Sequence, residues 1–181
     1  MASPALVFYR PADASLAIGI VDDAGHLAPG QSSTASLSWT HILAAGHHIV
    51  FYASMDGSLT IGHVSTDGQF VQTQDSGPTV SRWSHIVSTG PKVVFYRIDD
   101  GLLMTAYVDN PGHLVLLQSS TIAAGFNSVV VAGDAIVFYN PENGSLLIAH
   151  IDQAGYLVTT QSSEADKDWV LVSLITFDPV D

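Results

Sequence analysis

The tripeptide Val-Phe-Tyr occurs four times, ending in Phe8-Tyr9, Phe51-Tyr52, Phe95-Tyr96 and Phe138-Tyr139, so successive copies lie 43, 44 and 43 residues apart. A repeat of that length is one supersecondary unit, too small to bury its apolar faces except against copies of itself. The phase holds elsewhere in the chain. Leu16, Leu59, Leu103 and Leu146 recur in register, as do Gly25, Gly68, Gly112 and Gly155 and the pairs Gln31/Ser33, Gln74/Ser76, Gln118/Ser120 and Gln161/Ser163. Trp39, Trp83, Phe126 and Trp169 follow, each three residues before Ile42, Ile86, Val129 or Val172. The chain is a fourfold internal repeat.

Within a repeat the apolar residues fall in short runs with strand-like spacing. In the second copy these are residues 49–53, 58–64, 69–74 and 83–88, and Asp56-Gly57 and Asp67-Gly68 separate the first three. Asp-Gly marks a tight hairpin, since glycine accepts a positive φ without steric cost. No stretch sustains a period of 3.6, so almost no helix is expected. Runs such as Val93-Val94-Phe95-Tyr96 are apolar on both faces, as required of a sheet packed between two neighbours. Four antiparallel strands per unit, repeated, predict an all-β, four-bladed β-propeller of four-stranded antiparallel blades. The expectation is a single domain over 1–181, with repeats of roughly 5–46, 47–90, 91–133 and 134–177. The fourth run is poor in charge and ends in Gly46, Gly90 or Gly133, which suits an innermost strand heading the next blade. Segment 169–177 would then complete the blade begun by residues 5–33 and close the ring. Half of an eight-bladed homodimer is the alternative assembly.

Composition removes several function classes. With 47% hydrophobic and 12% charged residues the chain is a packed globular protein. It has no cysteine, which excludes disulfides, thiolate metal sites and cysteine nucleophiles. A formal charge of −12 with only five Lys and Arg argues against nucleic-acid and anionic-membrane partners, which need a basic footprint. No apolar run approaches the ~18 residues needed to cross a bilayer. No signal-peptide pattern opens the chain, so a cytoplasmic location is expected. Nucleophile elbows, phosphate loops and His-Glu-x-x-His are absent, and no cofactor is expected.

The second copy, with Ile49-Val50-Phe51-Tyr52, Gly57-Ser58-Leu59, Asp67-Gly68 and Trp83-Ser84-His85-Ile86, resembles the blades of tachylectin-type and related bacterial propeller lectins. The resemblance runs through the whole chain. It implies a ring of blades with a sugar bound in polar, partly aromatic pockets between neighbours.

Functional candidates come from positions that vary between copies. Two residues after each aromatic of the fourth run stand His41, His85, Ser128 and Leu171, and one residue after it stand Thr40, Ser84, Asn127 and Val170. Side chains alternate along a strand, so each histidine shares a face with its tryptophan. Trp39, His41, Trp83, His85, Asn127 and Trp169 are therefore candidate contacts for a carbohydrate or other small molecule. His41 and His85 would be acid and base if the protein is an enzyme acting without a cofactor, such as a cyclase, isomerase or lyase. His63, Tyr107 and His150 share a second variable phase with Ile20 and are further ligand candidates. No metal site is expected, because no third ligand can be placed beside a histidine pair. A protein-interaction scaffold is the remaining reading. The invariant Phe-Tyr pairs and Gln-x-Ser motifs are expected to serve packing and backbone hydrogen bonding. His47-His48 is expected on a solvated turn, and Arg10 and Arg97 beside carboxylates such as Asp13 and Asp99.

Overall fold

The computed structural model describes residues 5–34, 38–77 and 82–170. These form fifteen strands in four antiparallel sheets, with no helix among the described residues. The first sheet holds β1 (Ala5–Arg10), β2 (Ser15–Val21) and β3 (Leu27–Thr34). The second holds β4 (His41–Ala45), β5 (His48–Ala53), β6 (Ser58–Val64) and β7 (Phe70–Ser76). The third holds β8 (His85–Thr89), β9 (Lys92–Tyr96), β10 (Leu102–Val108) and β11 (Leu114–Thr121). The fourth holds β12 (Ser128–Ala132), β13 (Ala135–Tyr139), β14 (Ser145–Ile151) and β15 (Leu157–Glu164).

Strand order follows the chain within every sheet, and the strands after Trp39, Trp83 and Phe126 head the second, third and fourth sheets, as the repeat predicts. In the second sheet His41 pairs with Tyr52 and Ala45 with His48. A two-residue turn joins β4 to β5, with Gly46 at φ 63°. Glycine at the first central position is what a type II′ hairpin demands. Of the expected closing strand, 169–177, residues 171–177 lie outside the described residues. Trp169 and Val170, which precede them, are exposed and not in a strand.

Each second–third strand pair shifts register at the same phase, between Ala17/Gly19, Ile61/Gly62, Thr105/Ala106 and Ile148/Ala149. These are β-bulges, which sharpen strand twist. Only small residues follow the shift. A Cβ on Gly62 would lie 2.4 Å from Phe70 Cζ and 2.4 Å from the Val71 carbonyl oxygen.

The chain divides into two compact units. One comprises the first two sheets with residues 110–113, and the other the remaining two sheets. In the second unit Val94, Tyr96, Leu103, Phe126, Ile136, Phe138 and Ile151 form one buried cluster. The Tyr96 ring meets Phe138 at 5.5 Å and 74°, an edge-on geometry that adds roughly 0.5–1.5 kcal/mol beyond area burial. In the first unit the packing is uneven. Val50, Phe51 and Tyr52 of β5 are buried, whereas of the β1 residues in the same phase Phe8 is 48% exposed and Val7 and Tyr9 are half-buried, with Leu6 beside them at 46% exposure. β1 hydrogen-bonds β2 alone among the described strands, so one of its edges is uncovered by them.

Candidate functional site

The invariant aromatics hold sheets together. The Tyr9 hydroxyl accepts the Trp39 N–H at 2.9 Å, Tyr96 that of Phe126 at 3.1 Å, and Tyr139 that of Trp169 at 3.3 Å. Tyr96 also donates to the Ala123 carbonyl at 2.9 Å. Burial holds its phenol above the ordinary tyrosine range. Tyr9 and Tyr96 thus secure the backbone from which β4 and β12 depart. The repeated glutamines act similarly. Gln31 Oε1 accepts the Phe70 N–H at 2.7 Å, while Gln74 and Gln161 donate to Ser76 and Ser163 two residues on. Turn glycines receive hydroxyls from the preceding sheet: Thr73 donates to the Gly112 carbonyl at 2.8 Å and Thr105 to that of Gly155 at 2.6 Å.

Against this frame the candidates separate. Trp39 lies 5.7 Å from Phe51, and buried Trp83 lies 5.6 Å from Phe95, so both indoles pack on their own sheets. Trp169 is exposed, as is Asn127. His41 begins β4, its Nδ1 3.0 Å from the Thr40 hydroxyl and its ring 5.9 Å from Tyr52. His85 begins β8 and stacks on Tyr96 at 6.1 Å and 21°. The two histidines belong to different units. The Thr40 and Ser84 hydroxyls accept the N–H groups of Ser54 and Ile98, which ties them to backbone.

His63 is brought together with a residue the sequence reading set aside. His48 is not on a solvated turn. It is the first residue of β5, 9% exposed, paired with Ala45, and edge-on to His63 at 6.0 Å and 89°. Of the two histidines, only His47 is exposed, beside Gly46 at the hairpin tip. Gly112, with φ 90°, sits close enough that a Cβ would come within 2.9 Å of His48 Cδ2, which explains the burial. Tyr107 and His150 occupy the matching second-strand places, opposite Lys92 and Ala135. Lys92 is in the same phase as His48 and spends its ammonium on the Ile151 and Asp152 carbonyls, at 3.0 and 2.9 Å. Arg10 pairs with Asp13 at 2.8 Å, as expected. Arg97 pairs with Asp100 rather than Asp99, because the same three-residue spacing spans the hairpin turn.

His47, His48 and His63 open onto a groove of about 1020 Å³ in the first unit. Its walls are aliphatic, with Leu6 and Val7 of β1, Ile42 and Leu43 of β4, Ile49 and Val64. Asn110 adds an amide at its rim. The uneven packing of β1 accompanies a concave, largely apolar surface whose lining includes His47, His48, His63 and Asn110. Such a surface can hold the C–H face of a small molecule while imidazole nitrogens donate to, or accept from, its hydroxyls. Among the described residues no group of three or more His, Cys, Asp or Glu side chains could hold a metal ion, and no helix is long and apolar enough to cross a membrane.

No protein-family model matches this chain, and no curated protein does. Solved structures do. A candidate 6-phosphogluconolactonase from Bacteroides fragilis superposes with a TM-score of 0.61 at 14% identity, covering 90% of this chain and 55% of its own. The β-propeller domain of Cps50 (Swd1) from Myceliophteria thermophila gives 0.53 at 15%, covering 85% and 56%. The fold is that of a β-propeller. The periplasmic gluconolactonase of Pseudomonas aeruginosa gives 0.56 at 17%, covering 89% of this chain and 54% of its own. The propeller architecture implied by the lectin resemblance is shared with these structures, none of which is called a tachylectin-type lectin. This chain spans about half the length of the propellers it matches.

Proposed function

We propose that the protein binds a carbohydrate or other polyhydroxylated small molecule in the groove of its first unit. The observation that carries this reading is the presence of His47, His48, His63 and Asn110 in the lining of a largely aliphatic groove of about 1020 Å³. That volume is near the ~1,000 Å³ upper end for small-molecule sites. Two of the propellers of similar fold are named for sugar-lactone chemistry, which supports the ligand class. The test is a titration of the full chain with a panel of monosaccharides and aldonolactones, followed by calorimetry and amide shifts. Saturable binding that His63→Ala weakens and Val64→Trp abolishes, by filling the groove, is expected. Binding untouched by Val64→Trp would place the site elsewhere.

A second reading, catalysis without a cofactor, is favoured by the edge-on His48–His63 pair at 6.0 Å. One imidazole would take a proton from a water whose oxygen attacks a lactone carbonyl carbon. The ring C–O bond then breaks, and the leaving alkoxide takes a proton to give the open hydroxy acid. A rate of ring opening above the spontaneous one, lost in His63→Gln, would support it; an unchanged rate would leave binding alone.

A further inference from the structure

We infer that the groove takes an uncharged ligand and discriminates against its phosphorylated or carboxylated forms. The inference rests on the groove being the ligand site. Recognition of a phosphate dianion draws above all on Arg, Lys, a metal or a cradle of backbone N–H groups, with protonated histidine as a pH-dependent donor. None of the five basic residues lines this groove. Three of the five are engaged elsewhere. Arg10 is held by Asp13 and Arg97 by Asp100, and the Lys92 ammonium is bonded to two carbonyls of the fourth sheet. The first unit itself carries Asp13, Asp22, Asp23, Asp56, Asp67 and Asp75 against Arg10 and Arg82. Its field therefore repels an anion approaching the groove, and no Arg or Lys in the lining offsets that. What remains to make contact is an imidazole set that can both donate and accept, an amide, and aliphatic walls. These groups suit hydroxyls, ring oxygens and C–H faces. The groove thus differs in chemistry from what the name of the Bacteroides fragilis structure, a 6-phospho sugar lactone enzyme, would lead one to expect of a related fold.

The experiment compares matched pairs, glucose with glucose 6-phosphate and δ-gluconolactone with its 6-phosphate, by calorimetry on the full chain at pH 8 and low salt. At that pH the phosphate is a dianion. The neutral member should bind at least about tenfold more tightly, and the gap should shrink as salt screens the field. Ala44→Lys, which places an ammonium on the groove wall, should narrow or invert the ratio within each pair. A phosphate ester that binds the wild type as well as its neutral partner overturns the inference and leaves the groove reading standing. A ratio unmoved by Ala44→Lys overturns the electrostatic account. Failure of every member to bind removes the groove reading and this inference with it.

Discussion

Tyr96→Phe removes one oxygen atom and is expected to be among the most damaging conservative substitutions in the chain. The Tyr96 side chain is 0% exposed, and its hydroxyl donates to the Ala123 carbonyl at 2.9 Å and accepts the Phe126 N–H at 3.1 Å. Phenylalanine keeps the ring contacts with Phe138 and Phe126 at 5.5 and 6.1 Å, so the aromatic packing is retained. Two backbone groups lose their partner where water does not readily replace it. An unsatisfied buried group costs about 1–3 kcal/mol, so a loss of about 2–4 kcal/mol follows once incomplete burial of the Ala123 segment is allowed for. For a chain of this size that corresponds to roughly 5–15 °C in Tm. Tyr9→Phe is the internal control. Tyr9 accepts the Trp39 N–H at 2.9 Å, but β1 is half-exposed and water can take the hydroxyl's place, so about 1 kcal/mol or less is expected. Urea denaturation at constant m reads both costs, and hydrogen exchange at the Phe126 amide reads the local one. A Tyr96→Phe protein within 0.5 kcal/mol of wild type, or a Tyr9→Phe protein as destabilised as Tyr96→Phe, would refute the role given to the repeated tyrosine.

Two further outcomes follow from the same structure. Gly62→Ala should destabilise by about 1–3 kcal/mol, because its Cβ would lie 2.4 Å from both Phe70 Cζ and the Val71 oxygen. The third sheet carries Ala106 and Leu114 at these places, so adding Phe70→Leu should recover part of the loss in a double-mutant cycle, and full additivity would count against the clash. Asp13, held by the Ser15 hydroxyl and then the Arg10 guanidinium, and Asp100, held by Arg97 and the Leu102 N–H, are both lowered from 3.8 to about 2. Because the folded values are depressed, their contribution is full above about pH 4 and is lost as pH falls toward 2. Asp13→Asn with Asp100→Asn should flatten the urea midpoint between pH 5 and 2, and an unchanged acid limb would show that the two turns do not contribute there.

Much of the architecture was legible because the repeat reports each strand four times. An error at one copy is corrected by the others, and the hairpins at Gly46, Gly57 and Gly68 are forced by positive φ values of 63°, 77° and 78°. The one-strand offset between repeat and sheet was legible too, from the uncharged fourth run and its terminal glycine. The groove was not. Phe8 is of the same residue type as buried Phe51 in the same phase of β5, and exposure depends on which strand lies alongside, a fact no local pattern carries. His48 was missed for a different reason. His47-His48 looks polar enough for a turn, but the II′ hairpin uses only Gly46 and His47, which pushes His48 into the ladder opposite Ala45. The phase that lists Ala5, His48, Lys92 and Ala135 beside Ile20, His63, Tyr107 and His150 would have revealed the pair, since strand register sets these places opposite one another. Trp39 and Trp83 were drawn toward a ligand by their chemistry. Both face Phe51 or Phe95 of the same sheet because inner-strand aromatics are what fills the space beside Phe-Tyr.

The half-step between repeat and sheet has a consequence for synthesis. Residues 41–76, 85–121 and 128–164 each hold a complete four-stranded sheet in unbroken order. Each can therefore finish its hydrogen-bond ladder shortly after its outermost strand clears the ribosome, without waiting for distant sequence. A duplicated 43-residue cassette would instead deliver three strands of one ladder and the opening strand of another. The segment that was copied to build this chain and the segment that completes one sheet are thus different pieces of the same polymer.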